Sequence, residues 1–363
     1  MDSLYIIIII VVVIFAAIVA ALIFVITKIS IIKKAGGGHK HNESDDKTDK
    51  IKKVCLILGP YRNLTTMIVG VIALHPNIQV MNHGMKTLFA THKNDFLSDY
   101  SLDNFDNFKH AAMARSLVMV KGILGGSILA SHAYDPEYAL YKIYKSRYGN
   151  SRMKENPTCL VWKESFRVLN ILRKLPKSKL DILMANPQLC FMMPIRNPLD
   201  TAISHLVSFD AHISLYGINP AEATRINVLD AVLTSISDVF KLQSEYGKDK
   251  ILIIFESDLT NVTDILNASE KIEKFLDIES DKEWEQSTRT NLLINKSKYN
   301  HDWSIIDFYV LQIKKLFGHD EVIYRKFYNF IPEFKRNKIN LTPFTPYALR
   351  PSGFVASVAR AAV

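Results

Sequence analysis

Residues Lys52 to His75 read KKVCLILGPYRNLTTMIVGVIALH, and no other stretch restricts the fold as much. Val54 to Leu58 is an apolar, partly β-branched run, which predicts a buried strand. Gly59-Pro60-Tyr61-Arg62-Asn63 is a turn with one cation, and Thr65 to Leu74 is apolar enough for a buried helix. Strand, tight loop and helix in that order build an anion site. Backbone N–H groups at a helix N-terminus point outward, and the helix dipole favours negative charge there. Arg62 adds a fixed charge, and the Thr65 and Thr66 hydroxyls can donate hydrogen bonds. The same pattern also fits any βα unit of an α/β domain.

A second stretch strengthens the anion reading. Leu189 to Arg196 (LCFMMPIR) predicts another buried strand, ending in Arg196-Asn197-Pro198-Leu199-Asp200-Thr201-Ala202-Ile203-Ser204. Pro198 suits the first turn of a helix. Arg196 then stands at the C-terminal edge of a sheet, where α/β folds bind ligands, and Ser204 lies about two helical turns on. Together the two stretches resemble sulfotransferases that use 3′-phosphoadenosine 5′-phosphosulfate (PAPS). In that family a loop of the type G-x-P-R-S-G-T-T contacts the 5′-phosphosulfate, and the Arg and Ser of R-[ND]-P-x-D-x-x-x-S hold the 3′-phosphate. Arg196, Asn197, Pro198, Asp200 and Ser204 match the second motif position for position. Gly59, Arg62, Thr65 and Thr66 fit the first; Tyr61, Asn63 and Leu64 depart from it. Leu64 stands where the family has Gly, and a Cβ there restricts positive φ.

The resemblance implies a P-loop-like three-layer α/β/α domain around a central parallel sheet. It implies PAPS as sulfate donor, cradled by Gly59 and by Arg62, Asn63, Leu64, Thr65 and Thr66, with Arg196 and Ser204 on the 3′-phosphate. No metal is needed, because cations fill that role. It also implies a base shortly after the His75-Pro76 turn. Counting from the loop arginine, His83 occupies that slot, and an imidazole has a suitable unperturbed pKa. His132 is the runner-up. Thr158 to Trp162 predicts a strand followed by Lys163-Glu164-Ser165, similar to the family's strand and Lys-x-Pro with Ser165 in place of Pro. Lys163, with Arg62, would offset charge on the bridging oxygen as its bond to sulfur breaks. Ile251 to Glu256 resembles the family's strand ending in Y-E-D-L, with Glu256 in a structural part.

Elsewhere the sequence sets the organisation. Leu4 to Ile26 is an unbroken apolar run of about 23 residues, long enough to span a bilayer. It lacks a basic n-region and a small-residue cleavage site, so it reads as an uncleaved anchor. The expected plan is an anchor and flank at 1–35, a flexible linker at 36–51, a sulfotransferase-like domain at 52–335 and a loose tail at 336–363. Lys28, Lys33, Lys34 and Lys40 follow the span, which by the positive-inside rule keeps the domain cytoplasmic. Membrane-bound members of the resembled family face the Golgi lumen, so the side of the membrane stays open. Sequons occur at Asn42, Asn63, Asn261, Asn267, Asn295 and Asn340, and a glycan on Asn63 would obstruct the loop. Cys55, Cys159 and Cys190 each fall in a predicted buried strand and read as core residues rather than a disulfide framework. His39 and His41, on the linker, read as solvated side chains.

In the aromatic and polar region Phe96 to Arg152 two helices are expected near Phe105–Val120 and Glu137–Tyr148, and others over Phe166–Leu175, Ala221–Tyr246, Val262–Phe275, Trp303–Phe317 and Glu321–Phe330. Lys177 to Gln188 reads as an inserted loop. A nucleoside triphosphatase would need a Lys before Thr65, where Leu64 stands. The net charge of +9 comes from scattered lysines, which does not define a nucleic-acid surface. The acceptor implied by resemblance and anchor is a glycan or a protein hydroxyl. A membrane-tethered scaffold that keeps the fold without the chemistry is the alternative. Oligomeric state is not legible.

Overall fold

The structure is a computed structural model that describes residues 44–92, 95–208, 210–292 and 299–336. Two compact units divide the chain, Met1–Asp46 and Lys47–Val363. The span expected at Leu4–Ile26, the histidines at 39 and 41 and the tail from 337 onward lie outside the described residues. Among the described residues no helix is long and apolar enough to cross a membrane. The expected linker is helical over Ser44–Asp49, with Thr48 and Ile51 buried.

The domain is mixed α/β around a central, mostly parallel sheet. Its strands are β1 (Lys53–Ile57), β2 (Ile78–Asn82), β3 (Gly126–Ser127), β4 (Cys159–Lys163), β5 (Leu189–Ile195) and β6 (Ile251–Phe255). They lie side by side as β3-β2-β4-β1-β5-β6. All neighbours run parallel except β3, which is antiparallel to β2 at one edge. Continuous apolar runs such as Val54 to Leu58 belong in such a sheet, because both of its faces are covered.

Alternation along each strand splits the core. Val54 and Leu56, Leu160 and Trp162, and Phe191 and Met193 enter one buried cluster. Cys55 and Ile57, Cys159 and Val161, and Cys190 and Met192 enter the other. Helices cover both, which gives three layers. Among the described residues the α-helices of eight or more residues are α1 (Thr65–Ile72), α2 (Met85–His92), α3 (Leu102–Arg115), α4 (Ala139–Tyr148), α5 (Phe166–Lys174), α6 (Lys177–Ala185), α7 (Pro198–Ser208), α8 (Arg225–Tyr246), α9 (Val262–Leu276), α10 (Lys282–Asn291), α11 (Trp303–Phe317) and α12 (Glu321–Tyr328). Helices α3, α5, α6, α8, α11 and α12 bury residues in the first cluster. Helices α1, α4, α9 and α10 bury theirs in the second.

One expectation changes. Lys177 to Gln188 is not a loop: α6 fills most of it and buries Leu180, Leu183 and Met184, an i, i+3, i+4 stripe. Pro176, at its N-cap, sets the entry. The region beyond Ile278 holds α10, whose Trp284 is fully buried and donates from Nε1 to the Val71 carbonyl at 2.8 Å. The three cysteines are free and buried in their strands.

Candidate active site at the strand ends

Sheet order brings the sequence-predicted residues together. β2, β4, β1 and β5 are consecutive neighbours. Their C-terminal ends lead to His83, to Lys163, to the loop at residues 59–64 and to Arg196, respectively. Four distant segments thus open on one edge of the sheet.

The β1 loop is held in an unusual backbone. Gly59, Arg62 and Leu64 have φ of 101°, 64° and 60°. Gly59 has a second constraint: a Cβ there would come within 3.0 Å of Met193 Cγ. Leu64 is the N-cap of α1 and adopts the left-handed conformation that the sequence made doubtful for a residue with a Cβ. Holding a non-glycine there costs on the order of 1–2 kcal/mol. Its side chain packs against the α1 side of the core. Asn63 fastens the loop to β5. It is fully buried; its amide nitrogen donates to the Pro194 carbonyl, and its Oδ1 accepts the Arg196 N–H at 2.7 Å. The Asn63 side chain is therefore an anchor, committed at both ends, and as folded it is no glycan acceptor. Thr65 is buried and opens α1. The first N–H groups of that helix have no partner within it.

Arg196 ends β5 beside this loop, and its Nε is buried with no hydrogen-bond partner among the described residues. Burial and then the Arg196 charge lower the Arg62 pKa. Two guanidinium groups whose charges act on each other favour an anion nearby. The start of α7 is braced. Asn197 N–H donates to Glu256 Oε2 at 2.6 Å, and Asn197 Oδ1 accepts the Leu199 N–H at 3.1 Å. Burial raises the Glu256 pKa, opposed by the Asn197 N–H and the Arg196 charge. Glu256 is thus a brace, in line with its expected structural part. Asp200 accepts from His301 Nε2 at 2.9 Å in a fully buried pair, and Ser204 lies buried on α7.

On the other side of β1 stands Lys163, buried, with Nζ 3.3 Å from Asn82 Oδ1 and 3.3 Å from His83 Nε2. Burial pushes its pKa down to about 8, with Glu164 opposing. His83 has φ 55°. Its N–H donates to the Lys163 carbonyl at 2.9 Å, and its carbonyl accepts Trp162 Nε1 at 2.8 Å. Burial, then Lys163, Arg167, His212 and His132 push its pKa down to about 3. The imidazole is therefore neutral near pH 7, but a much weaker base than its unperturbed value implies. His132 is lowered by burial, Lys163 and Arg62. His212, its ring centroid 4.5 Å from that of Tyr61, is lowered by burial, Arg62, Arg167 and Lys163. The edge is a cationic cluster with neutral imidazoles set into it.

Sequence reasoning missed His212, Arg167 and the closeness of Gly125. At Gly125 a Cβ would meet Gly84 N at 2.1 Å and the His83 carbonyl carbon at 2.3 Å, so only glycine fits behind His83. The Gly125-Gly126 pair was the available signal. Among the described residues no group of three or more His, Cys, Asp or Glu side chains converges as metal ligands.

Fold and site thus define an α/β domain with a cationic edge at its strand ends. Neither a protein-family model nor a curated protein matches the sequence. Among solved structures the chain is similar to mouse sulfotransferase SULT7A1 complexed with PAP, at 12% identity and TM-score 0.40, over 78% of this chain and 92% of that one. It is similar to sulfotransferase STF9 from Mycobacterium avium, at 13% identity and TM-score 0.38, over 80% of each chain. A sulfotransferase domain from the curacin biosynthetic pathway matches at 15% identity and TM-score 0.36, over 64% of this chain and 77% of that one. Likeness this distant assigns no activity; the site's own chemistry has to.

Proposed function

We propose that this chain transfers a sulfuryl group from PAPS to a hydroxyl of a glycan or protein acceptor. The observation that carries the reading is the pairing of Arg62 and Arg196 at adjacent strand ends, one beside a helix N-terminus and the other with a buried, unpartnered Nε. That arrangement suits a ligand with two separate phosphate-type groups. The loop and the first N–H groups of α1 would take the 5′-phosphosulfate, with Arg62 and the Thr65 and Thr66 hydroxyls beside it. Arg196 and Ser204 would take the 3′-phosphate.

The donor supplies an activated sulfuryl group on a phosphate leaving group. His83 Nε2 accepts the proton of the acceptor hydroxyl as its oxygen attacks sulfur, opposite the bridging oxygen. Lys163 and Arg62 offset the charge that builds on that oxygen as the sulfur–oxygen bond breaks. Lys163 Nζ lies 3.3 Å from His83 Nε2, where its ammonium faces the ring lone pair. Turning Lys163 to the donor frees the Nε2 lone pair. The donor's negative charge also offsets the part of the His83 shift that comes from neighbouring cations, though not the largest contribution, which comes from burial. The left-handed Leu64 favours catalysis over the scaffold alternative, since the loop keeps the backbone a glycine would give.

An N-terminal anchor would hold the domain at a membrane, the Golgi membrane by analogy, near macromolecular acceptors. The test is sulfate-ester formation from labelled PAPS by the full chain, with glycan and tyrosine-peptide acceptors. Product should form with wild type and be lost in Lys163→Met and His83→Ala, while both variants still bind 3′,5′-adenosine bisphosphate. Equal transfer by those variants would overturn the assignment.

A further inference from the structure

We infer that Glu164 is a positioning residue for His83: its buried carboxylate fixes the imidazole tautomer with the proton on Nδ1 and supports the cation formed when Nε2 takes a proton. The inference rests on the proposed role of His83 as base.

Glu164 follows Lys163 at the end of β4 and is fully buried. Its Oε1 accepts from Arg167 Nη1 at 2.8 Å. Its Oε2 accepts the Met85 N–H at a long 3.4 Å and stands 3.8 Å from His83 Nδ1. That separation exceeds a hydrogen bond, but catalytic contacts are often long before substrate binds and tighten in the complex. A carboxylate has more acceptor sites than these two contacts use.

The backbone that carries the ring is fixed. The backbone of His83 is clamped by Lys163 and Trp162, and Gly125 closes on it from behind. Two opposed neighbours then select one tautomer. A carboxylate only accepts, so Nδ1, which faces Glu164, carries the proton. A lysine ammonium only donates, so Nε2, which faces Lys163, carries the lone pair. Nε2 is the atom the proposed chemistry needs unprotonated. The other groups acting on His83 are Arg167 from α5, His212 from the turn after α7 and His132 from the turn before α4. All are cationic when charged, whereas the Glu164 carboxylate, 3.8 Å from Nδ1, has the sign that favours the imidazolium. In the reaction the proton passes from the acceptor hydroxyl to Nε2, and the Glu164 carboxylate stays unprotonated.

A purely structural Glu164 would tie α5 to the start of α2 and leave the imidazole indifferent. Nitrogen-15 NMR of the histidine-labelled full chain at neutral pH separates the two, with His83 assigned by its loss in His83→Ala. The expected wild-type form is Nδ1–H, and it should persist in Lys163→Met. Both tautomers should appear when Glu164→Gln is added to Lys163→Met, and Glu164→Gln alone should lower kcat at least tenfold with affinity for 3′,5′-adenosine bisphosphate within twofold of wild type. Nε2–H in the wild type, a mixture in Lys163→Met, or an unchanged tautomer in the Glu164→Gln/Lys163→Met double variant would overturn the inference. The wild-type and Lys163→Met spectra decide it even if Glu164→Gln does not fold. The tautomer is readable whether or not the chain transfers sulfate, so failure of the proposed activity would register separately.

Discussion

Asn63 joins two parts of the site that are 131 residues apart, and a sequence pattern cannot show such a tie. Asn63→Ala should leave the buried Arg196 N–H and Pro194 carbonyl unpaired, costing about 2–3 kcal/mol in urea unfolding. An unchanged midpoint would contradict the anchor role. At Leu64 the backbone conformation sets the outcome. Leu64→Gly exchanges left-handed strain for greater chain entropy and should stay within about 1 kcal/mol of wild type, whereas Leu64→Val should cost about 1–3 kcal/mol. At Lys163 the pKa of about 8 fixes a pH dependence. Below that pH the free site is already charged. Above it, binding an anion requires taking up a proton, so affinity for 3′,5′-adenosine bisphosphate should fall as pH rises past about 8 and stop falling in Lys163→Met. The positions of Arg62 and Arg196 beyond strand ends were legible because each follows a continuous apolar run, and that of Ser204 on the next helix because Pro198 marks the helix start. Glu164 and Arg167 were not, because only the folded chain shows what they face.

Four strand ends make the site, so its geometry depends on elements that carry no chemistry. Strand β3 is the clearest case. It pairs Ser127 with Met81 and Gly126 with Asn82, and so seats the strand that leads to His83. Gly125→Ala would drive a Cβ into the His83–Gly84 backbone and should destabilise the fold by more than about 3 kcal/mol, read as a large loss of thermal midpoint. An Ala variant of wild-type stability would mean that the close approach is not rigid. The apolar runs of β1, β4, β5 and β6 were visible in the sequence, since parallel strands buried on both faces leave a continuous signal. The two residues of β3 are too few for any periodicity. Helix α6 was misread because exposed lysines at its start, Lys177 and Lys179, outweighed its short buried stripe.

The whole domain buries neutral imidazoles on both sides of its sheet. His75 caps the turn after α1: its Nδ1 accepts the Asn77 N–H at 3.2 Å, and its Nε2 lies 3.2 Å from the Glu279 carbonyl. His205 Nε2 lies 3.0 Å from the Tyr61 carbonyl. Burial holds each down to about 4. The unfolded chain takes up these protons near pH 6.5 and the folded chain only near 4, so stability is complete above about pH 6.5 and is lost as pH falls through that window. Each imidazole should contribute a loss on the order of 3 kcal/mol by pH 4. Urea midpoints should therefore decline steadily from pH 7 to pH 5, and a flat profile would contradict the burial of neutral histidines. The central claim concerns the anion edge as a unit, and calorimetry of the full chain and Arg196→Ala with 3′,5′-adenosine bisphosphate and with 5′-AMP tests it most directly. The expected result is tighter wild-type binding of the bisphosphate, a ~10- to 150-fold loss of that affinity in Arg196→Ala, and little change for 5′-AMP. A well-folded chain that binds neither nucleotide, or a variant that loses both equally, would contradict it.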